Sequence, residues 1–389
     1  MNVLFVLYND FNSNSAVHVY HWANELADLG VSCLVAVPEK KDSLSALGPA
    51  RFDAREFEEL RAGATFPDGR GPDIVHAWTP RENVRRLCQQ LSAQHSFRQF
   101  IHLEDNEQYL LANMSGKSWK TLTALSMQKL DALIPAHLSH PVRAAEFLQS
   151  ADGVTVIIDR LREFVPAGVP AIELWPSADP KLFSPRPLNR ALRSKLGIPS
   201  KTMVFVYTGN VHPANAVEVR SLYVAVAILN REGHPAVLLR AGQDCCPFLE
   251  PDGSWGRKHS IEMGYMPHHQ IPDLLAAADI LVQPGRPDPF NDYRFPSKLP
   301  EFLAIGRPVI VPAANLGLHL KHGVDAFVLP KVDALAIVEA AIKITSDSEL
   351  YDRLATGARD FFERRLSWEK TAAQLLAFYN APNAKALPA

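Results

Sequence analysis

Short apolar runs alternate with segments of helical period almost from one end of the chain to the other. That alternation predicts βαβ units, whose parallel strands are covered on both faces and so read as unbroken apolar runs. In the first half, strands are expected at 3–8, 32–37, 74–78, 99–103, 132–135 and 154–158. Between the first two, Val19, Trp22, Ala23, Leu26 and Leu29 share one helical stripe that Gly30 ends. From 164 to 187 the pattern breaks, because Pro166, Pro170, Pro176, Pro180, Pro185 and Pro187 exclude a single continuous element.

A second series follows, with strands expected at 203–208, 236–241, 261–265, 280–283, 308–311 and 326–329, then a helical tail over 332–379 restarting at Ser367. The pattern predicts two doubly wound α/β domains in tandem, 1–168 and 188–364. A linker, 169–187, holds one short strand at 171–174, and 365–389 form a terminal helix and tail. Two such sheets offer a cleft at their carboxyl ends, where ligands bind.

Composition narrows this little. At 389 residues the chain is long for one core, and its net charge of −2 gives no global basic field for nucleic acid. Cys33, Cys88, Cys245 and Cys246 fit neither a zinc spacing nor a secreted disulfide framework, so a reducing, cytoplasmic setting is expected. The apolar N-terminus lacks a positive flank and reads as a strand, not a signal peptide. No apolar run approaches the ~20 residues of a membrane helix. Segment 119–130 sets Leu122, Met127 and Leu130 beside two lysines. It reads as a packed surface helix, with peripheral contact at the inner membrane face left open.

Chemistry gathers in the loops. The first strand–helix turn has no glycine and cannot be a dinucleotide GxGxxG turn; Asn14 and Ser15 either cap the helix or hold a sugar hydroxyl. His102, Glu104 and Asp105 stand at the end of the fourth expected strand, where an imidazole can handle a hydroxyl proton and carboxylates can bind sugar oxygens. In the second half Gly209 permits close backbone approach ahead of a helix start near Asn210 and Asn215. Ser297 and Lys298 at another helix start bring a hydroxyl, an ammonium and backbone N–H groups together, which suits a phosphate. Glu301, one turn on, can accept from ribose hydroxyls.

The run Pro-Ser-Lys-Leu-x-Glu-Phe-x-Ala-x-Gly-x-Pro-Val over 296–309 resembles glycosyltransferases of the GT-B fold, above all the retaining group called glycosyltransferase family four. Residues 263–267, 271–280, 320–330 and 366–370 extend the likeness over nearly the whole chain. The resemblance implies two Rossmann-like domains facing across a cleft, with a C-terminal helix crossing back to the first. It implies transfer of sugar from a nucleoside-diphosphate sugar to a saccharide or lipid-linked acceptor, with retention, without metal or other cofactor, in surface polysaccharide or glycoconjugate assembly. By the same resemblance Glu301 is the second glutamate of an E-x7-E motif at the donor ribose. Lys298 and Ser297 lie at the phosphates, Gly264, Tyr265 and Met266 beside the base, and His102 near the transferred sugar.

Departures from the family pattern are specific. The first glutamate of E-x7-E falls on Tyr293, leaving Asn291 or Asp292 to reach the sugar, and the family's paired Arg and Lys fall on Asn210 and Asn215. Lys298, Arg294 and Arg240 are then expected to offset the diphosphate charge. A binding or partner subunit without turnover, or a nucleotide-sugar epimerase, are the alternatives.

Overall fold

The computed structural model describes residues 1–60, 63–249 and 254–382, so the end of the expected tail, 383–389, lies outside the described residues. Two units divide the chain: Met1–Pro176 with Tyr293–Phe295 and the segment from Trp368 on, and Ser177–Asp292 with Pro296–Ser367.

In the first unit β1 (Asn2–Val6), β2 (Ser32–Val37), β3 (Asp53–Glu56), β4 (Ile74–Trp78), β5 (Arg98–Leu103), β6 (Gly153–Val156) and β7 (Ala171–Glu173) form one parallel sheet. Their order is β3-β2-β1-β4-β5-β6-β7. The strand assigned to the linker is thus the last strand of this sheet. The run 132–135, expected as a strand, instead ends the helix Met127–Leu133. Four apolar residues cannot by themselves separate a strand from a buried helix end.

One face of this sheet is unusually rich in rings. Phe5 pairs with His76, His76 with Phe100, Trp78 with His102, and His102 with Thr155, so these residues share a face. The helices Asn14–Asp28 and Trp368–Asn380 cover it with Trp22, Trp368 and Tyr379, and Trp22 Nε1 donates to Thr371 Oγ1 at 2.8 Å. The C-terminal helix therefore belongs to the first unit's core.

In the second unit β8 (Met203–Thr208), β9 (Ala236–Ala241), β10 (Ser260–Gly264), β11 (Ile280–Val282), β12 (Val309–Pro312) and β13 (Phe327–Leu329) run parallel in the order β10-β9-β8-β11-β12-β13. Val219, Leu222, Val226 and Leu229 form the apolar stripe of the helix Ala216–Arg231. They pack against Ile337, Ala341 and Ile344 of the helix Ala334–Ser346.

Candidate functional site

The strand order of the second unit reverses between β8 and β11, and the loops leaving those two strands meet there. Such a switch point is where open α/β sheets hold ligands. Lys298 arrives from the loop after β11, as the residue capping the helix Leu299–Ile305. Its Nζ donates to Tyr207 Oη of β8 at 3.0 Å and lies 4.2 Å from the Tyr207 ring centre. Gly209, with φ +130°, sits directly beneath: a Cβ there would stand 3.0 Å from Nζ. The ammonium is held by an aromatic face and a hydroxyl, with no carboxylate in an ion pair among the described residues.

The helix behind Lys298 offers fewer donors than its start suggests. Pro300 lacks an N–H, and Leu299 N already donates to Pro296 O at 2.9 Å. Ser297 is half-buried beside it. The side chain of Lys298, more than backbone dipoles, supplies positive charge here.

Glu301 Oε1 lies 2.8 Å from His268 Nε2, a residue that sequence reasoning did not single out. Burial works against the charged imidazole, yet the Glu301 hydrogen bond and charge, with Asp179 beyond, raise its pKa above the usual 6.5. His268 follows the turn at Gly264, whose φ is +66°, and the ring of Tyr265 beside it is 74% exposed. Met266 is half-buried in the same loop. A carboxylate and an imidazole thus meet where the loop after β10, with its open Tyr265, reaches the helix Leu299–Ile305.

Several expected contacts are used otherwise. Asn210 Oδ1 accepts from Gln243 N at 2.9 Å, and Asn215 bridges Asn210 O and His212 N at 3.0 and 2.9 Å, so both asparagines tie the loop together. Arg240 is not available to a diphosphate: it is buried, with Nη1 2.5 Å from Asp244 and 3.1 Å from Glu262. Asn291 is buried too, donating to Glu218 Oε1 at 2.6 Å, and Asp292 N donates to Asp288 O at 3.0 Å. Tyr293 and Arg294 group with the first unit. The Tyr293 hydroxyl donates to Glu163 and its ring lies 5.5 Å from Phe164, while Arg294 acts electrostatically on Asp105.

In the first unit the helix Asn14–Asp28 is capped by Ser13, not by Asn14 or Ser15. Asn14 is exposed, whereas Ser15 Oγ donates to Glu104 Oε1 at 2.5 Å and Trp78 Nε1 donates to Glu104 Oε2 at 2.9 Å. Burial, then the charge of Asp105, pushes the Glu104 carboxyl up to about 7. Burial also raises Asp105, opposed by Arg81 and Arg294. Arg81 sits 3.8 Å over the Tyr8 ring and 3.7 Å from Asp105, spanning the first sheet's own switch point between β1 and β4.

His102 is corrected by the same geometry. It is fully buried, stacked on Trp78 at 3.9 Å, with Nδ1 2.8 Å from Thr155 Oγ1. Thr155 Oγ1 is also 3.0 Å from His76 Nε2, and His76 Nδ1 is 2.6 Å from Tyr379 Oη. Burial, with His76 and His18 nearby, holds the His102 pKa well below its usual value. A ring that resists protonation so strongly is a poor base for a hydroxyl proton.

Residues 202–347 match the family described as "Glycosyl transferases group 1". A D-inositol 3-phosphate glycosyltransferase of Stackebrandtia nassauensis is 26% identical over 215 residues, covering 52% of this chain and 47% of the relative. The chain spans about half the length of the curated relatives it matches. Among solved structures, Anabaena HepE in complex with UDP-glucose superposes with TM-score 0.69 at 14% identity, covering 97% of this chain and all of that one. Sucrose-phosphate synthase from Thermosynechococcus elongatus gives 0.66 at 17%, covering 97% and 98%. The chain has the GT-B fold, and within its second unit residues 202–347 resemble the glycosyl transferases group 1 family.

In this GT-B chain the group 1 match begins just ahead of β8 and contains Tyr207, Gly209, His268, Lys298 and Glu301. Tyr207 and His268 carry no motif of their own; only the approach of Lys298 and Glu301 marks them. Segment 119–130 forms two short helices, Trp119–Thr123 and Met127–Leu133, that turn Leu122 and Leu130 into a small apolar cluster. Among the described residues no helix is long and apolar enough to cross a membrane.

Proposed function

We propose that this protein transfers a glycosyl group from a nucleoside-diphosphate sugar to an acceptor hydroxyl. The observation that carries the reading is Lys298, drawn over Gly209 at the β8–β11 switch point with no carboxylate neutralising it in an ion pair among the described residues. An ammonium so placed offsets the charge of a departing diphosphate, and a preorganised charge of this kind contributes roughly 3 to 4 kcal/mol to the transition state. Glu301 takes ribose hydroxyls and the loop at Tyr265 takes the base. The fold match to a UDP-glucose complex supports a nucleotide-sugar donor.

Retention is part of the proposal: the leaving phosphate takes the acceptor proton, so no carboxylate nucleophile is required. So is independence from metal, with Lys298 doing the work of a cation. A saccharide or lipid-linked acceptor, a role in surface polysaccharide or glycoconjugate assembly, and a cytoplasmic location complete the reading. One observation favours a second reading, a nucleotide-binding partner subunit. Capture of Arg240 by Asp244 and Glu262 leaves Lys298 without its help.

The test is a screen of UDP- and GDP-sugars for donor hydrolysis and transfer, with and without EDTA. Turnover unaffected by EDTA supports the first reading. Nucleotide binding without turnover across all donors supports the second.

A further inference from the structure

A cavity of about 260 Å³ lies in the first unit outside the carboxyl ends of β4, β5 and β6. Pro141, Ala144, Ala145 and Leu148 of the helix Pro141–Ser150 line it. They fall at i, i+3, i+4 and i+7, so one whole face of that helix forms a wall. Trp119 and Phe164, both half-buried, line it as well.

Several polar groups on the lining are engaged. Glu107 pairs with Arg81 at 3.1 Å and accepts from Ser139 Oγ at 2.8 Å. Glu163 accepts from the Tyr293 hydroxyl. His140 Nδ1 accepts from the backbone N–H groups of Val142 and Arg143, each at 3.2 Å. Asp105 is different: it stands at the end of β5 with a side chain 29% exposed, and its contact with Arg81 is 3.7 Å. A sugar ring in this space would leave hydroxyls against proline, alanine, leucine and aromatic carbon. Each buried, unmatched hydroxyl costs about 1–3 kcal/mol. A compact apolar group meets no such penalty, and the volume suits a fragment of one or two rings, smaller than a drug-sized site.

We propose that this cavity takes the apolar body of the acceptor and leaves its hydroxylated end at Asp105. The substrate class is an alcohol or glycoside bearing an aromatic ring or a short alkyl chain. This rests on the glycosyl-transfer reading above and names the acceptor that reading leaves open. Ala145 is exposed, so a larger side chain there fills the mouth without disturbing the core.

Three probes differing only in the aglycone test it by calorimetry on the full chain: methyl, 4-nitrophenyl and octyl β-D-glucoside. UDP binding is measured on every sample. The nitrophenyl or octyl compound is expected to bind at least tenfold tighter than the methyl one, and the tighter of the two identifies a ring or a chain. Ala145→Trp is expected to erase that advantage with UDP affinity unchanged, while Ala145→Ser keeps it. Equal binding of the three glucosides, or an advantage that survives Ala145→Trp, overturns this inference alone when UDP still binds. Failure of the unmutated protein to bind UDP or any other nucleoside diphosphate overturns the glycosyl-transfer reading, and this inference with it.

Discussion

His268 Nε2 faces Glu301 Oε1 at 2.8 Å, so an imidazole from the loop after β10 already orients the carboxylate assigned to the donor ribose. The raised pKa of His268 sets the sign of its effect. Its contribution to stability is fully present below the usual 6.5 and is lost as pH rises through the higher folded value. His268→Ala should therefore cost more stability at about pH 5.5 than at about pH 8.5. The difference stays below ~1 kcal/mol, because the His268 side chain is 56% exposed and water screens the pair. The same variant should raise the donor KM severalfold with kcat nearly unchanged. Chemical denaturation at the two pH values reads the first effect, and a cost independent of pH would contradict the pairing.

Lys298→Ala should lower kcat/KM by roughly a hundredfold or more, since the lost charge acts where negative charge develops. Tyr207→Phe removes the 3.0 Å hydrogen bond but keeps the ring beneath the ammonium, so a loss of only severalfold is expected. Steady-state kinetics on both variants separates the charge from its support. Equal losses would mean that Tyr207 itself touches the donor.

The alternation of apolar runs was enough to read the second sheet and most of the first, because strands buried on two faces leave unbroken apolar stretches. β3 escaped because Asp53-Ala-Arg-Glu56 is an edge strand with one partner and a polar sequence. The run 132–135 misled because it is apolar at the end of a helix. The motif singled out Lys298 and Glu301, but the side chains that surround them carry no signal in the sequence. That His268 meets Glu301, 33 residues away in sequence, depends on how the helices Ile271–Leu275 and Leu299–Ile305 pack. Arg240 looked available because a sequence shows a cation without showing Asp244 and Glu262 beside it.

Gly209→Ala should fold and yet lose activity. At φ +130° an L-residue is strained by about 1–3 kcal/mol. The new methyl would also press on Lys298 Nζ, 3.0 Å away. A fall in kcat/KM much larger than the fall in Tm would locate the damage at the lysine. Parallel losses would reduce it to backbone strain.

Tyr379→Phe leaves His76 Nδ1 buried without its 2.6 Å partner and should cost about 1–3 kcal/mol. Thr155→Val deprives both His76 and His102 of a partner and should cost more. Thr155 has one hydroxyl proton, so it donates to at most one of the two imidazoles, and a continuous chain has it accept from the other. Because Thr155 meets Nε2 of His76 but Nδ1 of His102, the same tautomer is expected for both rings, which nitrogen-15 NMR reads directly; opposite tautomers would break the chain of hydrogen bonds.

Glu104 shares the sign of the His268 pH dependence but owes it to burial instead of pairing. Its carboxyl rises from the usual 4.5 to about 7, through burial first and Asp105 second. Between those values the folded protein keeps a proton that the unfolded chain has released. Stability is therefore fully present below about 4.5 and falls as pH climbs through about 7. Glu104→Gln copies the protonated form, leaving an oxygen to accept from Trp78 and an amide beside Ser15, which can turn to accept. The variant should match the native protein near pH 4.5 and exceed it at pH 8 by on the order of 1–3 kcal/mol. Denaturation across that interval measures the gap. A variant less stable at every pH would show that ionised Glu104 is held by its neighbours more strongly than burial opposes it.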